Sequence, residues 1–285
     1  MSELDHRRLG VFLGTLLALA GVFQAVAWLS GIGIGPIAPA YMFTPLLAAL
    51  AVVARCDCSL REIGVRVGRV RWIGAAALAG VVVVGLSVAI SLAVPGVQFD
   101  PTELTTGPGS AGGTWTLVAF GTVLVVGVNA VMAFGEGLGW RGYLLWELVP
   151  LGFWKASLAI GALWGLWHFP SVVAGVHYVS FPYVGLAMMV AATVALSPLY
   201  TYLVWRADSV FAAVFLHGIF NGTAMVANAV TVTEGRVLGQ LVARPIGMAG
   251  IVACGVLSGL IALRGTPTLD RAGFRASLVE SDRPT

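Results

Sequence analysis

Phe134-Gly-Glu-Gly-Leu-Gly-Trp-Arg-Gly-Tyr-Leu-Leu145 decides how the chain is read, because it sets a carboxylate, Glu136, and a guanidinium, Arg141, inside or at the edge of a long apolar run. A charged side chain at the centre of a bilayer costs roughly 3 kcal/mol or more, so each such group needs a partner or a job. Three further strongly polar side chains sit in apolar runs later in the chain: His168, His217 and Asn221. The chain has only four histidines, so two of them in apolar spans is informative. A carboxylate, two imidazoles and a carboxamide spread over hydrophobic helices point to a site assembled inside a bundle.

The composition around that stretch agrees. Of 285 residues, 58% are hydrophobic and 10% charged, with a mean hydropathy of +0.92. Soluble domains carry about 25% charged residues. A single buried core does not explain such a deficit, and the chain reads as an all-α, polytopic membrane protein lying in the lipid bilayer. The net charge of +3 gives no bulk footprint for nucleic acid, and no nucleic-acid partner is expected. Cys56 and Cys58 fall in a basic loop with no further Cys or His beside them, which is a poor zinc pattern. Cys254 lies on the last span, away from the polar residues above.

About eight transmembrane helices are expected: Leu9–Ser30, Ile37–Ala54, Trp72–Val94, one starting near Thr114, Phe153–Gly175 with a break at His168-Phe-Pro170, Tyr183–Trp205, Ser209–Val230 and Pro245–Leu263. They form one integral-membrane domain over residues 1–265, with the polar-residue core at about 115–230. Residues 266–285 read as a polar cytosolic tail. In Ser59–Trp72, the residues Leu60, Ile63, Val67 and Val70 fall at helical spacing opposite several arginines, which fits an interfacial amphipathic segment. Pro95–Gly113 reads as the longest loop. Eight spans put both termini on one side, and 14 of the 16 Lys and Arg residues then fall on that side. Arg236 and Arg244 are the two left for the other. The positive-inside rule makes the N- and C-termini cytosolic.

His217 and Asn221 are four residues apart, so on a helix they lie about 40° apart on one face. Each polar residue alone could do no more than tie two helices together, a bond worth about 0.6 kcal/mol in a membrane. Asn129 is read that way, and Glu147 as an interface charge.

Glu136-Gly-Leu-Gly-Trp-Arg141, Trp164-Gly-Leu-Trp-His168 and His217-Gly-Ile-Phe-Asn221 resemble, in order and spacing, the three motifs of the CAAX prenyl protease and bacteriocin-processing (CPBP, or Abi) family of intramembrane peptidases. The resemblance implies a membrane-embedded peptidase acting on a peptide or protein substrate. It implies that Glu136 and His168 hold and activate a water, and that His217 and Asn221 donate to the oxyanion. Arg141, Trp140 and Trp164 are then expected to bind substrate or support the site. Glu136, His168 and His217 could also make a zinc set with one open position. A His-Glu-x-x-His spacing is absent, and the preferred reading uses no cofactor. Two other readings stay open: an inactive relative that binds or regulates, and a small-solute transporter using Glu136 as a proton relay.

One position departs from the pattern. The family's second Glu is Gly137 here. Arg141 is then expected either to pair with Glu136 or to reach water, lipid phosphate or a substrate carboxylate at the cytosolic edge. The second is preferred, with Gly137→Glu tolerated. Straight helices also leave Glu136 and His168 at depths differing by roughly a dozen Å at 1.5 Å per residue. Tilt, an extended helix running to Leu148 or a break at the glycines would close that gap.

Overall fold

The computed structural model describes residues 3–55, 58–102 and 127–271. Most of the Pro95–Gly113 loop, the expected start of the fourth span, Cys56 and the tail beyond residue 271 lie outside them. Ten helices organise the described residues: α1 (His6–Ser30), α2 (Ala38–Tyr41), α3 (Thr44–Val53), α4 (Val70–Leu92), α5 (127–148), α6 (Gly152–Trp167), α7 (Phe169–Val173), α8 (Pro182–Ala207), α9 (Phe211–Val230) and α10 (Met248–Arg264). Six helical stretches among the described residues are long and apolar enough to cross a membrane, one of them running from Gly127 to Trp167, and Met248–Arg264 is a shorter apolar helix. The outer faces match a lipid solvent. Trp28 is 78% and Leu263 85% exposed, and Leu17, Leu78 and Tyr183 are exposed as well. This is an all-α integral membrane protein.

Close helix packing is made where side chains are small. Gly161 and Gly165 on α6 leave room for the α8 backbone, since a Cβ on either would lie 2.7 or 2.6 Å from the Cα of Val194 or Val190. Gly218 on α9 meets Ala130 on α5 in the same way, at 2.9 Å. These contacts draw the helices bearing Glu136, His168 and His217 around a common interior. α9 also packs along α4, and α10 along α8.

The bundle has two unlike ends. At the basal end, Asp5 caps α1 by accepting from the Arg8 N–H, and that bond holds its carboxyl below the usual range. Arg66 pairs with Asp208 there, and the Arg69 N–H bonds Ala207. At the distal end, β1 (Val97–Phe99) pairs antiparallel with β2 (Thr231–Thr233), Val97 opposite Thr233. Ser180 N–H donates to Gln240 Oε1 at 2.9 Å, which ties the loop after α7 to the segment before α10.

Two expectations are corrected. Residues 60–64 form turns and 65–69 are irregular, so the helical spacing of the expected amphipathic segment is not realised. Gly64 (φ 91°) and Gly68 (φ 62°) are left-handed, and these break any helical register. Ile63 is buried while Leu60, Val67 and Val70 are exposed, so the four never share a face. Glu147 is no interface charge. It is fully buried, its Oε1 accepting from Asp5 N–H and from Arg271 Nη2, both at 3.0 Å. The segment after α10 therefore packs back on the bundle as far as Arg271, with Leu269 buried beside it.

Candidate active site

α5 is what brings the polar residues to one level. It runs on through Leu138–Leu144 as a π-helix and continues as Leu145–Leu148. Such widened turns concentrate at functional sites. The extended helix running to Leu148, one of the three ways to close the depth gap, is present. α6 ends at Trp167, and His168 sits at the junction with α7, where Pro170 begins a new first turn.

Trp164 joins the parts. Its indole N–H donates to Glu136 Oε2 at 2.5 Å, and its backbone carbonyl lies 2.8 Å from His168 Nδ1. A carbonyl only accepts, so Nδ1 carries the proton and Nε2 keeps its lone pair. The Trp164 ring meets the His217 ring edge-on at 5.6 Å and Tyr200 at 5.5 Å. Glu136 is 2% exposed, and His217 is buried. Glu136, His168, His217 and Asn221 all line one cavity of about 250 Å³, and Trp164 lines it too. The four residues singled out in the sequence thus come from α5, α9 and the α6–α7 junction to one space.

Arg141 and Trp140 do not line that cavity. Arg141 is 3% exposed, so neither outcome expected for it holds. It forms no ion pair with Glu136 among the described residues, and it is buried short of the bundle surface. Its Nη1 donates to Ser197 Oγ at 2.8 Å, and the guanidinium lies over Tyr200 (4.9 Å) and Trp164 (5.5 Å). Ser197 passes the bond on to the Ser157 carbonyl. Arg141 therefore stands behind the Trp164 wall, held by aromatic faces and a hydroxyl. Trp140 packs edge-on against Trp167 and Phe12 as core.

Gly137 is buried between α5 and α9, where a Cβ would lie 3.3 Å from Val214 Cγ2. Any side chain there requires Val214 to move. The expected easy acceptance of Glu at this position meets that contact.

Several cavity residues carry no signal in the sequence. Tyr41 reaches in from α2; its ring stacks on Trp167 at 4.5 Å and its hydroxyl donates to the Trp167 carbonyl. Trp167 in turn borders His168 at 4.9 Å. His177, on the loop after α7, brings its ring to 6.3 Å from His168. Burial, and then the Arg244 guanidinium, push the His177 imidazole below its ordinary value, so it is neutral at pH 7. Asn129 and Cys254 also line the cavity, although the sequence placed them apart from the site. Among the described residues no group of three or more His, Cys, Asp or Glu side chains is close enough to hold a metal ion.

The helical membrane bundle thus sets a carboxylate, two imidazoles and a carboxamide on one buried cavity. Residues 114–223, which include all four, match the family model described as Rce1-like, type II CAAX prenyl endopeptidase. That match supports the CPBP family of intramembrane peptidases, a protease family whose substrates are peptides or proteins. No curated protein matches the chain.

Proposed function

We propose that the protein is an intramembrane endopeptidase that hydrolyses a peptide bond with a water activated by Glu136 and His168. The observation that carries this is the Trp164 link, which fixes the Glu136 carboxylate and the His168 tautomer on the same cavity. Glu136 takes a proton from the water as it attacks the carbonyl carbon, and His168 Nε2 accepts the water's second hydrogen bond. His217 and Asn221 donate to the oxygen that becomes negative in the tetrahedral intermediate. Glu136 then returns its proton to the leaving amine as the C–N bond breaks. Absence of a Glu136–Arg141 pair favours this over an inactive relative, because the carboxylate is not tied up by the nearest guanidinium.

The reaction uses no metal in this proposal. Purified protein incubated with a peptide library, read by mass spectrometry, should cut equally well with and without a strong chelator. Loss of cleavage with chelator and recovery with zinc would overturn the metal-free mechanism.

The topology proposed with it has eight crossings within one domain over residues 1–265. The 127–167 stretch supplies two of them and Met248–Arg264 the last, with both termini cytosolic. Val176, His177, Pro245 and Ile246 on the cavity belong to distal loops, opposite the termini. The proposed cleavage is inside the bilayer.

A further inference from the structure

A second pocket, of about 320 Å³, lies at the distal end between the C-terminus of α9, β2 and the segment leading to α10. Arg236 and Arg244 both line it, with Asn228, Thr231, Thr233 and Gln240, and among the described residues no Asp or Glu does. Neither arginine makes an ion pair with a described residue. Most Lys and Arg of this chain fall at the basal side of the sequence pattern, and these two are the ones left for the distal side. Both face a single pocket, which is not how scattered surface charges distribute. Gly239 helps shape it, because a Cβ there would lie 2.7 Å from Thr233 Oγ1.

The pocket's depth identifies the ligand chemistry. α9 ends at Val230 and α10 begins at Met248, so the pocket lies where apolar spans give way to polar chain. Val232, Val237 and Met248 around it are exposed and apolar, positioned to meet acyl chains while the arginines stay at headgroup level. Guanidinium groups bind phosphate oxygens in bidentate fashion and are weakly hydrated, which suits them to this boundary.

We propose that this pocket binds the phosphodiester of a membrane phospholipid headgroup. The bound lipid also braces the catalytic cavity. Ala243 and Arg244 line the lipid pocket, the next two residues, Pro245 and Ile246, line the cavity, and Tyr178 OH holds the Ile246 carbonyl at 2.5 Å. Gln240 clasps Ser180 on the same loop as His177.

The test reads binding without reference to peptidase activity. Thermal unfolding of the purified protein in detergent is followed with short-chain phosphatidylglycerol, with inorganic phosphate at equal concentration, and with a short peptide ending in a free carboxylate. The lipid at about 100-fold excess over its Kd should raise Tm by roughly 5–10 °C, and phosphate and peptide should do so far less. R236Q/R244Q should weaken the lipid at least tenfold, while R61Q at the basal end leaves the shift intact. Arg236 is exposed, so R236Q alone keeps the fold and should still weaken binding severalfold if the double variant does not fold. A shift that phosphate or peptide reproduces, that survives loss of Arg236, or that the lipid fails to produce in the native protein would overturn the proposal.

Discussion

Glu136 and Glu147 stand eleven residues apart on one helical run, and both are buried carboxylates. Their surroundings differ in kind. Glu147 has a full opposite charge in Arg271 and a backbone donor in Asp5, and Arg271 also lies 4.4 Å over the Trp146 ring. It ties the start of α1 and the chain after α10 to the end of α5. Among the described residues Glu136 has no counter-charge within ion-pair distance; it takes one neutral indole N–H and faces a cavity shared with two imidazoles and a carboxamide. Burial alone therefore does not mark a reactive carboxylate. A buried ion pair binds segments together, and breaking one is strongly destabilising. A buried carboxylate left with a single neutral donor beside an open space is available for proton transfer.

The sharpest way to break the comparison is to neutralise each carboxylate. Glu136→Gln should remove detectable peptide hydrolysis while the protein stays folded in detergent, and His168→Ala should do the same. Glu147→Gln should leave the rate per folded molecule within a few-fold of native. If instead Glu147→Gln abolishes turnover in well-folded protein, the division of roles between the two carboxylates is wrong.

Smaller losses should grade outward from Glu136. His217→Ala and Asn221→Ala should each lower kcat by about 10²–10³-fold, the usual loss for an oxyanion donor. Trp164→Phe deletes one hydrogen bond to a carboxylate, worth about 1.5–3 kcal/mol, and should lower kcat roughly 10- to 100-fold with KM little changed. A Trp164→Phe enzyme with native kcat would show that the indole N–H does not position Glu136.

The least effect on catalysis, and a clear one on stability, is expected at the basal tie. Glu147→Gln and Arg271→Ala should each cost about 3 kcal/mol in unfolding experiments, and the double variant less than the sum, because the two share one interaction. Additive losses would mean that Arg271 and Glu147 act separately.

The sequence made the inner site readable because each motif is local. His217 and Asn221 share a helix face by spacing alone, and Trp164 and His168 are a turn apart. The fold class followed from hydropathy, and the charge split separated the two arginines of the distal end from the rest. What stayed hidden depends on distant partners. Glu147 bonds Asp5 across 142 positions and Arg271 across 124, and no local pattern reports either. The helix neighbours of Arg141 do not report its hydroxyl partner, because Ser197 is 56 positions away on α8. Tyr41 and His177 enter the cavity from a short helix and a loop, with no periodicity to announce them. In residues 59–69 the apolar spacing is misleading, because Gly64 and Gly68 at positive φ end any helix there.

The most direct measurement is cleavage of a peptide library by the native protein and by Glu136→Gln, purified in the same detergent and read by mass spectrometry. Defined new termini with the native protein, absent with Glu136→Gln although both unfold at similar temperatures, are the expected result. Cleavage that persists in Glu136→Gln would contradict the role given to this carboxylate.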